Sequence, residues 1–227
     1  MTTRYAIFFV PEQESALYKK ASQWLGWDCQ NAVKIDQPTH PQIELSEITS
    51  SPKVYGFHAT LKPPFELFGS LSEDDLLRAT DKFAQNIKPF YELELELNTL
   101  GSFLALTPKN RMSDIHRLAA AVVQGFDHFR KPMEAEEFAR RNKPGLSEGQ
   151  RAHLKNWGYP YVLDEFRFHM TLTNSLGDEM LNRVAAFLSN FLGNSLKSCS
   201  AIDRLSVLKQ QGKGEPFRLI HTAPFAD

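Results

Sequence analysis

Cysteine is nearly absent: the chain of 227 residues holds only Cys29 and Cys199. Two thiols cannot build a disulfide framework, and their separation has no metal-site spacing, so the expectation is reduced thiols in a cytosolic protein. Long apolar runs are missing as well. The first, Tyr5 to Val10, is stopped by Pro11-Glu12, too short for a signal-peptide core or a membrane span. No later run reaches the roughly 20 apolar residues that a spanning helix needs. Neither sign of charge dominates: Lys and Arg number 26 against 27 Asp and Glu, for a net of −1. A chain so balanced has no overall field to draw in a long nucleic acid, although a local basic groove is compatible with it. No Gly-, Ser- or Pro-rich linker separates two domains. There is no glycine-rich phosphate loop of the P-loop type and no Gly-x-Ser-x-Gly elbow. What is present, 42% apolar and 23% charged residues, is ordinary for a globular chain long enough to bury a core. The expectation is a soluble, cytoplasmic protein with no membrane partner; the sequence sets no oligomeric state.

Tyr5 to Val10 reads as a buried strand, and a helix is predicted from about Gln13 to Leu25. Residues 27–53 show no clean period and carry three prolines, which predicts a loop with short elements. The chain then does one thing twice. Val54 to Leu61 reads as a strand. Ser72 and Asp75 form a capping-box pattern before a helix with Leu76, Ala79, Phe83 and Ile87 on one stripe. Tyr91 to Asn98 alternates strictly, and a Gly101-Ser102 turn leads to a further strand at Phe103 to Leu106. In the second pass Glu165 to Thr173 is extended, Asp178 caps a helix, Ile202 to Leu208 is a strand, and a Gly-rich turn brings back Phe217 to His221. Between the halves Ser113 is expected to cap a helix, and residues 131–160 read as a charged helical insert.

One short motif occurs in both halves: Phe57-His58-Ala59-Thr60-Leu61 and Phe168-His169-Met170-Thr171-Leu172. From composition, about 0.003 copies of Phe-His-x-Thr-Leu are expected in a chain of this length, treating positions as independent. In a strand, residues i and i+2 share a face. His58, Thr60 and Lys62 therefore project together, as do Arg167, His169, Thr171 and Thr173, while the apolar residues between them clamp each strand to a core. An imidazole titrates near neutral pH and serves as acid or base. Two of them across one phosphate can activate the attacking oxygen and protonate the leaving one. The threonine hydroxyls are suited to non-bridging phosphate oxygens, and Lys62 and Arg167 to offsetting their charge. Neither motif has a third and fourth ligand nearby for zinc, so no metal and no cofactor are expected. The other histidines lack the motif, and Glu92, Glu94 and Glu96 read as a wet strand face.

Two His-x-Thr-hydrophobic motifs about a hundred residues apart, in a chain of this size, resemble the two-histidine phosphoesterases, which include cyclic phosphodiesterases and RNA 2′,3′ cyclic ligases. The resemblance implies one bilobal α+β domain over residues 1–227, with two antiparallel-sheet lobes related by a pseudo-two-fold axis, helices outside, and metal-independent chemistry in the cleft. His58 and His169 fall on the family's catalytic positions, and Thr60 and Thr171 on its phosphate-binding ones. Arg4-Tyr5-Ala6-Ile7, Tyr55-Gly56 before the first motif, Trp157-Gly158-Tyr159-Pro160-Tyr161-Val162 and Glu165-Phe166-Arg167 are similar to a branch often encoded among phosphonate-utilisation genes. That association implies a small phosphorylated substrate, a ribose cyclic phosphate. The alternatives are an RNA 2′,3′-cyclic phosphodiesterase or ligase, and a non-catalytic nucleotide- or RNA-binding module. Candidate substrate contacts beyond the motifs are Tyr5, Arg140, Arg141, Trp157 and Tyr161, with the 131–160 insert expected as a lid or wall at one end of the cleft.

Overall fold

The apolar run near the N-terminus becomes the strand about which the molecule is built. In a computed structural model describing residues 2–110 and 112–226, the order is β1 (Arg4–Phe9), α1 (Ala16–Leu25), β2 (Trp27–Asp28), β3 (Val33–Lys34), α2 (Leu45–Ile48), α3 (Ser50–Lys53), β4 (Ala59–Phe65), α4 (Glu73–Ala84), β5 (Phe90–Tyr91), β6 (Leu95–Leu100), β7 (Phe103–Pro108), α5 (Ser113–Gly125), α6 (Ala135–Arg141), α7 (Glu148–Trp157), β8 (Met170–Thr171), α8 (Asp178–Leu192), β9 (Ala201–Ile202), β10 (Arg204–Gln210) and β11 (Arg218–Pro224). The fold is mixed α+β, and its paired strands are antiparallel. None of the helices among the described residues is long and apolar enough to cross a membrane.

Two sheets carry the molecule: β11-β10-β1-β4 and β6-β7-β8. The motif strands are exchanged between the halves. β4, which follows His58, joins the sheet holding the C-terminal hairpin β10–β11, while β8 joins the sheet made by the central hairpin β6–β7. The short strands that lead into the hairpins, β5 and β9, pair with each other. The first sheet contains β1 in addition to a hairpin and a motif strand, so the two sheets are unequal. Beneath the motifs the halves meet through core rings: Phe9 and Phe168 lie 6.4 Å apart, and Trp24 Nε1 donates to the Leu172 carbonyl at 2.9 Å.

Local chemistry explains most element ends. The Ser72–Asp75 capping box opens α4, the Asp75 carboxylate accepting from Ser72 N at 2.9 Å. Ser113 and Asp178 are first residues of their helices and not caps, the cap positions being Met112 and Gly177. The alternation from Tyr91 to Asn98 is not one strand. Glu92 adopts φ 64° and divides it into β5 and β6, because the chain leaves a pairing with β9 to enter one with β7. Tyr91, on the apolar side of the alternation, is consequently 69% exposed.

Candidate functional site

Both motif histidines are set by the same local geometry. His58 Nδ1 lies 2.9 Å from the Gly56 carbonyl, and His169 Nδ1 lies 2.7 Å from the Arg167 carbonyl. A carbonyl only accepts, so each Nδ1 carries its proton and each Nε2 is the nitrogen left for chemistry. Gly56 can hold this position because its φ is +75°; a Cβ there would come within 2.7 Å of Cys29 Cβ. Thr60 Oγ1 stands 3.2 Å from His58 Nε2 and, with that tautomer, donates to it.

The surroundings of the two rings differ. Phe8 stacks on His58 with ring centroids 3.9 Å apart, Tyr55 lies 5.8 Å away, and Phe217 stacks on Tyr55 at 5.2 Å. Burial, with a smaller contribution from the nearby His169 charge, pushes the His58 pKa down to about 4 against the partial support of the Gly56 carbonyl. His169 has Phe103 at 6.0 Å and a half-open setting. The two histidines immediately precede strands of different sheets, yet β4 and β8 approach each other closely enough for the charge of one imidazole to act on the other. Register places Thr171 opposite Ala105 on β7, on the face it shares with His169 and Phe103.

The structure does not bring every expected residue to this place. Lys62 is 1% exposed and points away, its Nζ donating to the Val123 carbonyl at 3.1 Å and to Asp127 Oδ1 at 3.2 Å. The reason is a β-bulge: Phe8 pairs with Thr60 but Ile7 with Lys62, so one extra residue of β4 reverses the alternation just past the motif. Burial lowers the Lys62 pKa to about 8, opposed by Asp127. After the second motif the strand itself ends at Thr171, and Thr173 is buried and accepts from Leu104 N at 2.9 Å. Tyr5 is also turned away. It lies on the face of β1 opposite Phe8, and its hydroxyl donates to Glu73 at the start of α4 at 2.9 Å. Arg167 is exposed and holds His169 through its backbone.

Arg140 and Arg141 sit at the end of α6, with Arg141 paired to Glu137 at 2.6 Å and bonded to the Gly158 carbonyl at 3.2 Å. They line two cavities, one of about 640 Å³ that the insert makes with the body of the molecule and one of about 690 Å³ formed within the insert itself. Tyr161, 49% exposed, lines the second; Trp157 lies on the wall of neither. Neither cavity includes a histidine of the motifs. Tyr55, Gly56 and Phe8 were not singled out as functional residues from the sequence, although Tyr55-Gly56 directly precedes the first motif. Among the described residues, no three His, Cys, Asp or Glu side chains gather in a way that could hold a metal ion.

A family model described as "Protein of unknown function (DUF1045)" matches residues 60–218. The chain belongs to the DUF1045 family. It is similar to a protein of Janthinobacterium sp. (strain Marseille) named ribose 1,5-bisphosphate phosphokinase PhnN, 36% identical over 99% of this chain and 51% of that one. A protein of the same name from Laribacter hongkongensis is 29% identical over 95% of this chain and 50% of its own length. The chain thus spans about half the length of these curated relatives. Among solved structures, E. coli LigT complexed with 3′-AMP aligns over the whole of both chains at 10% identity with a TM-score of 0.42.

Proposed function

We propose that this DUF1045 chain is a metal-independent phosphoesterase that opens a small cyclic phosphodiester. One observation carries the reading: two imidazoles preceding strands of different sheets, each with Nδ1 tied to the carbonyl two residues upstream, leave both Nε2 atoms for one substrate. His58, whose depressed pKa keeps it neutral at pH 7, is the base. Water attacks phosphorus and gives its proton to His58 Nε2. The bond from phosphorus to the leaving oxygen breaks, and that oxygen takes the Nε2 proton of His169, which enters the reaction as imidazolium. Thr60 and Thr171 donate to non-bridging oxygens, Thr60 exchanging its bond to His58 for one to phosphate. Arg167, at the exposed rim, offsets the anionic charge.

The names of the curated relatives favour a ribose phosphate. Opening ribose 1,2-cyclic phosphate 5-phosphate by breaking the bond from phosphorus to O2 gives ribose 1,5-bisphosphate, the compound in those names. Those proteins are about twice as long, and this chain has no glycine-rich phosphate loop, so the phosphoesterase reading is preferred here to a kinase one. The balanced charge favours a small substrate over long RNA. The test is turnover with EDTA present, comparing ribose 1,2-cyclic phosphate 5-phosphate, nucleoside 2′,3′-cyclic phosphates and RNA ending in a cyclic phosphate, with the product regiochemistry read by phosphorus NMR. Turnover of RNA ends alone would select the RNA phosphodiesterase. Tight binding with no turnover of any cyclic phosphate would select the binding module.

A further inference from the structure

We propose that the cavity of about 640 Å³ beside Arg4 receives a phosphomonoester group carried by the same substrate whose cyclic phosphodiester lies between His58 and His169. This rests on the phosphoesterase reading and narrows it to a doubly phosphorylated small molecule.

The first argument is continuity. Arg4 and Phe8 lie on one face of β1, four residues or about 13 Å apart along the strand. Buried rings fill the interval between them. The Arg4 guanidinium carbon sits 5.7 Å from the centre of Phe217, which lies 6.2 Å from Phe8, the ring stacked on His58. Arg4, which lines the cavity, therefore shares a face of β1 with the ring that stacks on His58, and the cavity volume accommodates a phosphate together with part of the molecule that carries it.

The second argument is the state of the arginine. Arg4 has no carboxylate partner among the described residues. Its Nε and Nη2 donate to Gln210 Oε1 at 2.8 and 2.5 Å, a neutral amide that orients the guanidinium and leaves its charge uncompensated. Gln210 is itself 1% exposed, and its amide nitrogen is fixed on the Glu215 carbonyl at 2.6 Å. A guanidinium has five N–H donors, so a planar fork remains for an anion.

The third argument is the balance of charge around the walls. Arg130, Lys131, Arg140, Arg141 and Lys213 also line the cavity. Glu134 is occupied by Lys131 at 3.1 Å and Glu137 by Arg141 at 2.6 Å, whereas Lys213, like Arg4, has no carboxylate partner among the described residues. Glu66 and Glu136 stand on the same walls. Those carboxylates oppose a chain of successive phosphates while leaving a locally basic corner at Arg4 and Lys213, which fits one terminal phosphate.

The test needs no turnover. Ribose 5-phosphate, with ribose as the neutral control, is titrated calorimetrically into the His58→Ala/His169→Ala protein, which lacks both imidazoles. Ribose 5-phosphate should bind and ribose should not. Adding Arg4→Gln should weaken binding at least tenfold, adding Arg4→Lys should weaken it less, and adding Lys213→Ala, at an exposed turn that leaves folding intact, should weaken it severalfold. Failure of the double-histidine variant to bind ribose 5-phosphate would overturn the proposal, as would equal binding after Arg4→Gln in a protein with an unchanged melting temperature. If Arg4-dependent binding is found while no cyclic phosphate is hydrolysed by the wild type, the phosphate subsite stands and the phosphoesterase reading falls.

Discussion

His58 and His169 bond their Nδ1 atoms to the carbonyls of Gly56 and Arg167 at 2.9 and 2.7 Å, yet only His58 lies stacked on a buried ring, Phe8 at 3.9 Å. The shared anchor gives both the same tautomer. The unshared ring and its burial push the His58 pKa down and favour its neutral form, which is what assigns it the base in the proposed reaction.

The pH dependence follows from His58. Its folded pKa is about 4, below the ordinary histidine value of 6.5, so between these the unfolded chain binds more protons than the folded one. The stability it contributes is fully present above pH 6.5 and is lost as pH falls through about 4, with a slope of up to ~1.4 kcal/mol per pH unit. Denaturant melts of wild type and His58→Phe across this window should show the slope reduced in the variant. In kcat/KM the ascending limb, which belongs to the base, should bend near pH 4, and an ascending limb that bends near 6.5 instead would contradict the assignment of His58.

Replacing either histidine by alanine should lower kcat/KM on a confirmed cyclic phosphate by about 10²–10⁴-fold, with near-native melting. Thr60→Val and Thr171→Val should cost less, since each removes one hydrogen bond to phosphate. Wild-type rates in both histidine variants would refute the site.

Lys62 should behave as a structural residue. Lys62→Met leaves Asp127 bonded to Arg130 at 2.8 Å, so stability should change modestly and KM by less than about twofold. Asp127→Ala strands the buried ammonium and should cost roughly 3–5 kcal/mol. A large rise in KM for Lys62→Met at normal stability would return the lysine to the phosphate.

Gly56→Ala tests the Nδ1 anchor. The new Cβ meets Cys29 at 2.7 Å from a backbone with φ +75°, which should cost about 1–3 kcal/mol and move the carbonyl beneath His58. A displacement of that kind is expected to lower kcat roughly 10- to 100-fold. Adding Cys29→Ala makes room for the methyl group and should recover part of both losses. Kinetics and melting of the single and double variants decide it.

The motifs were legible because their chemistry is local. In a two-residue step of extended chain, His and Thr must share a face, and His58 with Thr60 shows this directly in a 3.2 Å contact. The capping box at Ser72 and the turn before β11 were readable for the same reason, since a few adjacent residues decide them. Lys62, Thr173 and Tyr91 were misplaced where a bulge, the end of a two-residue strand and the left-handed Glu92 reset the alternation. Each reset is imposed by a partner strand distant in sequence, so no window of local pattern contains it. Tyr5 could be assigned a face relative to Phe8, but which face met the cleft depended on β4 and on α4.

The sequence alone determined that two identical imidazole–hydroxyl pairs exist, that each is backed by apolar residues, and that strands, helices and turns recur in one order. Those properties follow from residue type and the period-2 geometry of extended backbone. Tertiary structure alone decided that the hairpins are exchanged between the motif strands, that burial against Phe8 lowers the basicity of His58, and that Arg4, with no carboxylate partner among the described residues, lines a cavity walled by both cations and carboxylates. Strand exchange and desolvation both come from contacts between segments far apart in the chain, and the energy of such contacts is set by what is buried together and not by what is adjacent in sequence.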